Sequence, residues 1–282
     1  MLFRSDTSFA GANRSVLLIK GGFNLAFECP QPTPMVLALH VRPERQKDLI
    51  EPELLTFYPQ VPHSEYLDSF GNKCTRLTAP AGGLSIWNRF VIADSGLPEP
   101  LPYDAYPHAV SELPDETLCY LLGSRYCDTQ SLMQAAWSLF GHYWEGWDRI
   151  QAILNYVHDH LRFDYQNARN DRTASQAHAE RTGVCRDFAH LAITFCRCMN
   201  IPARYCTGYL GDIGVPADPA PMDFSAWFEV YMGGQWWTLD ARHNKPRTGR
   251  VLIARGRDAA DVAISTAFGP AILTEFQVIT EL

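Results

Sequence analysis

The segment Thr182-Gly183-Val184-Cys185-Arg186-Asp187 holds the side chain with the most reactive chemistry to offer. Phe188, Ala189, Ala192, Phe195, Cys196 and Met199 follow at helical spacing, so Cys185 falls in the first turn of a helix running from about Val184 to Met199. Free backbone N–H groups and the positive end of the helix dipole favour an anion there, and Arg186 adds a neighbouring cation. The expectation is a thiol pKa below the ordinary value, since the thiolate is the nucleophilic form. A core cysteine that merely packs near a helix end is the plainer alternative.

A second stretch supplies the polar partners. Gly233-Gly234 can close a two-residue turn between Phe224–Met232 and Gln235–Ala241. Met232 then faces Gln235, Trp227 faces Asp240 and Ser225 faces Arg242. Ser225 and Asp240 share one face as diagonal neighbours about 7–8 Å apart. Phe224, Ala226, Phe228 and Val230 take the opposite, apolar face. A polar line carrying an acid, laid against a helix carrying a thiol, is the layout of a cysteine–base–acid site.

Other side chains could join such a site. His190, five residues beyond Cys185, lies about 140° round the helix and faces away. His243 has the opposite strand parity to Asp240 and points away unless the strand ends or bulges there. His158 and His160 sit on the preceding helix, at positions the sequence does not fix. Tyr165 could donate to an oxyanion. Glu229 shares the Ser225 face, as a solvated edge charge or as a guide for a substrate amine. Arg242, Lys245, Arg247, Arg250, Arg255 and Arg257 form a basic stretch whose commoner meaning is internal ion pairing. The aromatic run Gly141–Trp147 suits packing between domains, or the lining of an acceptor cleft.

These residues need a scaffold, and the pattern changes along the chain. The first hundred residues read as strands: Ser15–Ile19, Met35–Val41, Leu54–Tyr58 and Leu84–Ala93. Twelve of the 19 prolines precede residue 110, which places them in loops and edges of a β domain. Gly96 to Pro102 reads as an extended linker. Helical periodicity then covers Ser131–Phe140 and Asp148–Leu161, and strands return at Ala203–Leu210 and in the hairpin. The expected division is a β-rich domain over 1–105 and an α+β domain over 106–282.

The composition fits that division. A chain of 282 residues, 46% apolar and 20% charged, is long enough for about two domains and is globular in type. A net charge of −7 argues against nucleic-acid binding, and no apolar run approaches the ~18 residues of a membrane span. The early acid in Met1-Leu2-Phe3-Arg4-Ser5-Asp6 argues against a signal peptide. Eight cysteines without an export signal are expected as free thiols in the cytoplasm. Cys196 and Cys198 sit in an apolar helix and read as buried side chains. No motif implies a metal or cofactor.

Taken together, Gly183-Val184-Cys185-Arg186-Asp187-Phe188-Ala189-His190, Asn200-Ile201-Pro202-Ala203-Arg204-Tyr205, Gly208-Tyr209, Ala226-Trp227-Phe228-Glu229-Val230-Tyr231 and Trp237-Thr238-Leu239-Asp240-Ala241-Arg242 resemble the bacterial transglutaminase-like family. The β-rich N-terminus, followed by Ser124-Arg125-Tyr126-Cys127, is similar to the accessory domain of its bacterial members. The resemblance implies a papain-like α+β core preceded by a β-sandwich-like domain. It also implies peptide or protein substrates, with cysteine, histidine and aspartate acting on amides by acyl transfer or hydrolysis. Cys185 matches the nucleophile and Asp240 the orienting acid.

The family histidine before Ala-Trp is replaced here by Ser225. A serine hydroxyl neither accepts the thiol proton at neutral pH nor returns it to a leaving amine. Three readings follow from the sequence: a thiol enzyme impaired or altered in its base, a pseudoenzyme that binds peptides or a partner, or a serine introduced to trap substrate.

Overall fold

A computed structural model describes residues 16–219 and 221–282. The segment Met1–Asp6 and the start of the Ser15–Ile19 strand lie outside the described residues. Alternation of apolar and polar residues in the first part of the chain produces seven strands: β1 (Leu17–Cys29), β2 (Thr33–Leu37), β3 (Leu49–Glu51), β4 (Thr56–Tyr58), β5 (His63–Leu67), β6 (Lys73–Ala79) and β7 (Gly82–Asp94). Phe23, Leu25, Phe27 and Cys29 of β1 are buried at every second position, as are Leu84, Ile86, Phe90 and Ile92 of β7. Met35 and Leu37 of β2 and Leu77 and Ala79 of β6 complete the inner faces, and all of these join one apolar core.

The helical part follows the linker: α1 (Asp115–Leu118), α2 (Thr129–Phe140), α3 (Trp147–His160), the short strand β8 (Arg162–Phe163), α4 (Ala174–Glu180), β9 (Thr182–Gly183) and α5 (Cys185–Cys198). The remaining strands are β10 (Ala203–Leu210), β11 (Ser225–Met232), β12 (Gln235–Leu239), β13 (Arg250–Gly256), β14 (Ser265–Ala267) and β15 (Ile272–Glu281). β12-β11-β10-β13 form an antiparallel sheet, against which α5 packs through β10 and β11. From α5's other sides come α2, α3 and α4. Packed on all sides, α5 buries every residue but Arg186, including the polar side chains Asp187, His190, Thr194 and Arg197. It ends where Asn200 turns into the left-handed region at φ 59°, ahead of Pro202.

The last strands return to the N-terminal sheets. β15 pairs antiparallel with β1 and β14 with β2, giving the orders β15-β1-β7-β3, with β4 also on β7, and β14-β2-β6-β5. This α+β core with a strand-rich N-terminal region is the papain-like architecture expected. Among the described residues no helix is long and apolar enough to cross a membrane.

Candidate active site

The hairpin closes on Gly233 and Gly234, whose φ values of 57° and 80° are the left-handed conformations such a turn requires. The register is the expected one, Met232 opposite Gln235 and Phe228 opposite Leu239. Phe224, Ala226, Phe228 and Val230 enter the main core, while Trp227 faces the other way beside Cys206 and Leu252. Pairing stops at Leu239, so the anticipated pairs Trp227–Asp240 and Ser225–Arg242 do not form.

Cys185 is the first residue of α5. The parallel pair β8–β9 delivers the chain to Val184, an extended N-cap residue whose N–H donates to Asp187 Oδ2 at 2.9 Å. Asp187 in turn takes the Arg172 guanidinium at 3.0 Å, both side chains being buried. Gly183 makes room for this: a Cβ there would stand 2.5 Å from the Asp187 Cβ. The thiol is therefore held by a strand, a buried ion pair and a long central helix.

Around it lies a small cleft of about 100 Å³, lined by Cys185, Ser225, Tyr165, Asp223, Arg242 and His243 among others. Ser225 opens β11 and is buried, and its carbonyl accepts from Thr207 Oγ1 at 3.3 Å. Asp240 is buried just behind the cleft. Its Oδ2 accepts from Arg250 Nη2 at 2.6 Å and from His243 Nδ1 at 2.8 Å, and its Oδ1 from the His243 backbone N–H at 3.0 Å. Arg250 also holds Glu99 of the linker at 2.6 Å, so the extended segment between the two parts of the chain is tied to the acid.

The structure decides two expectations. Strand parity pointed His243 away from Asp240 unless the strand ended there, and it does end: residues 241–243 form a turn, and the Asn244 N–H bonds the Asp240 carbonyl at 2.8 Å. That turn carries His243 back onto the carboxylate. The second concerns the thiol. Burial pushes Cys185 up to about 11, outweighing Arg242, which lowers it, while Asp223 and Asp240 push the same way as burial. The thiol is neutral at rest. The expected helper Arg186 is engaged elsewhere, with the Arg169 carbonyl and, 5.8 Å away, the Tyr126 ring. Arg242 sits 3.7 Å over the Phe163 ring at the cleft wall.

The other candidates separate clearly. His190 is buried away from the cleft, stacked on Tyr126, with Nε2 accepting from the Ala259 N–H at 3.1 Å. His158 bonds the Arg242 carbonyl at 2.9 Å, and His160 stacks on His178. Tyr165 does line the cleft. Glu229 is neither solvated nor at the cleft: it is buried between Arg204 at 2.6 Å and Arg255 at 3.0 Å, because β13 brings Arg255 alongside. Arg247, Arg250, Arg255 and Arg257 all pair with acids of the chain. Of the Gly141–Trp147 run, Trp144 is exposed and Trp147 meets Tyr103 edge-on at 5.5 Å; none of the seven lines the Cys185 cleft. Among the described residues no group of three His, Cys, Asp or Glu side chains is arranged to hold a metal ion.

Comparison with known proteins agrees with the geometry. The model of the transglutaminase-like superfamily core matches residues 142–241. The crystal structure of a "Putative Cysteine Protease" from Cytophaga hutchinsonii superposes with a TM-score of 0.83 at 30% identity, covering 95% of this chain and 91% of that one. An uncharacterized protein of Mycobacterium leprae is 38% identical over 84 residues, and one of Mycobacterium tuberculosis 35% identical over 91. The chain spans about 30% of the length of these two curated relatives.

Proposed function

The chain belongs to the transglutaminase-like superfamily, and from that premise we propose that it is a thiol hydrolase or acyltransferase acting on amide bonds of peptides or proteins. The observation that carries this reading is the placement of Cys185 at the first position of the central helix, inside a cleft backed by an ionised aspartate. Cys185 attacks the carbonyl carbon. Tyr165, whose pKa burial raises, keeps its hydroxyl protonated and available to the developing oxyanion. The thioester then passes to water or to an amine. All eight cysteines are free in the structure, which supports a reducing, cytoplasmic setting.

A second reading draws on a specific observation. Ser225 stands where the family has its histidine, and the resting thiol is neutral, which favours a cleft that binds peptides or a protein partner without turnover. The two separate on a panel of peptide and glutamine amides assayed with the native chain and Cys185→Ala. Turnover that vanishes in Cys185→Ala supports the enzyme; peptide binding with no Cys185-dependent turnover leaves the binding module.

A further inference from the structure

We propose that His243 is the proton-transfer residue of this site, taking over from the turn after β12 the task that the family assigns to the position of Ser225. The inference rests on the amide-directed reading above and adds to it the missing base. Asp240 is ionised, so its Oδ2 can only accept, and the His243 Nδ1 at 2.8 Å must be the donor. With Nδ1 the donor, the neutral ring is the tautomer whose lone pair lies on Nε2. Both Cys185 and His243 line the same cleft of about 100 Å³, which holds a few waters or a small acyl group.

The relation of acid to base is local here. In a strand-borne arrangement the histidine arrives from a neighbouring strand and meets the acid across a ladder. Here Asp240 and His243 are three residues apart in one turn. Two hydrogen bonds, one from the ring and one from the backbone N–H, set the imidazole on both carboxylate oxygens. Arg250, held on its other side by Glu99, keeps the carboxylate charged and still. With this base, a neutral resting thiol is no obstacle, because the proton leaves as attack begins.

The steps balance. His243 Nε2 takes the Cys185 Sγ proton while sulfur bonds to the amide carbon and the carbonyl π pair moves to oxygen. As that oxygen reforms its double bond, the C–N bond breaks and the leaving nitrogen takes the proton from Nε2. Water or an amine then gives a proton to Nε2 and attacks the thioester. The C–S bond breaks and the proton returns to sulfur.

The test uses the full chain and iodoacetamide at neutral pH, with the Cys185 alkylation rate read peptide by peptide beside amide turnover. In His243→Asn the Cys185 rate is expected to fall at least ~10-fold, with Cys119 unchanged, and turnover at least ~100-fold. Adding Ser225→His to His243→Asn is expected to recover a measurable part of both, which a purely structural role for His243 would not give. Should His243→Asn lose its cooperative thermal transition, His243→Gln takes its place. Alkylation at the native rate in a folded His243 variant overturns the proposal. Cys185-dependent turnover that survives loss of His243 also overturns it, while leaving the amide-directed function standing. Histidine-dependent alkylation with no amide turnover supports the base and overturns that function instead.

Discussion

Nδ1 of His243 stands 2.8 Å from Oδ2 of Asp240, and the His243 backbone N–H reaches Oδ1 of the same carboxylate at 3.0 Å. With Arg250 Nη2 also on Oδ2, one buried carboxylate receives three donors from two elements. An amide offers a single oxygen and turns an N–H₂ toward one of those donors. Asp240→Asn is therefore expected to lower amide turnover at least ~1,000-fold and to cost about 3 kcal/mol of stability. Steady-state kinetics and urea melts read the two separately. Unchanged turnover would remove Asp240 from the site.

The same group gives the chain an acid limit. Burial works to raise the Asp240 carboxyl, but the charge of Arg250 and hydrogen bonds from His243 and Arg250 outweigh it and hold it well below the usual range. A carboxylate depressed on folding stabilises fully above its unfolded value of about 3.9 and loses that contribution as pH falls through the folded one. The thiols set the opposite limit. Burial raises Cys127, Cys185 and Cys198 from 9.0 to about 11, so their contribution is complete below pH 9 and lost between 9 and about 11. The melting temperature is expected to be flat from about pH 5 to 8, to fall at more acid pH and to fall again above about pH 9. A midpoint constant up to pH 11 would show that these thiols are not buried as neutral groups.

Accessibility sorts the cysteines more sharply than charge does. Cys119 is exposed, Cys185 borders the cleft, and Cys196 and Cys206 are wholly buried. Native alkylation at neutral pH is expected to label Cys119 and Cys185 and to reach Cys196 and Cys206 only on unfolding. Cys185→Ala should keep the fold at a cost under about 2 kcal/mol, since the side chain is small and packs on one side against open cleft. A larger loss would mark Cys185 as a packing residue first.

Much of this was legible in the residues. Helical spacing placed α5 within a residue of its true ends, and two adjacent glycines set the hairpin register. What escaped was wherever a local rule stopped applying. Strand parity puts His243 on the wrong side as long as the strand continues, and nothing before Asp240 announces its end. Glu229 read as an edge charge because its burial depends on Arg255, 26 residues later, arriving on β13. The thiol read as an activated one because helix position is local and burial is not. The pairing of β14 and β15 with β2 and β1 joins segments more than 200 residues apart, beyond any periodicity.

The ion pair beneath the thiol offers the most direct check that Cys185 is positioned rather than merely present. Asp187 caps the Val184 N–H with the same oxygen that meets Arg172, and both charges are buried. Removing Arg172 leaves the buried Asp187 carboxylate with Arg186 alone, 3.8 Å away, so Arg172→Met is expected to cost about 3 kcal/mol. Replacing both, as in Arg172→Met with Asp187→Leu, should recover most of that loss, because two buried charges vanish together. It should not recover the Cys185 alkylation rate or amide turnover, since Val184 then loses the acceptor that sets the helix start. Stability restored with activity still low would separate positioning from folding. A single-variant cost under about 1 kcal/mol would show that the pair is solvated and that the helix holds Cys185 unaided.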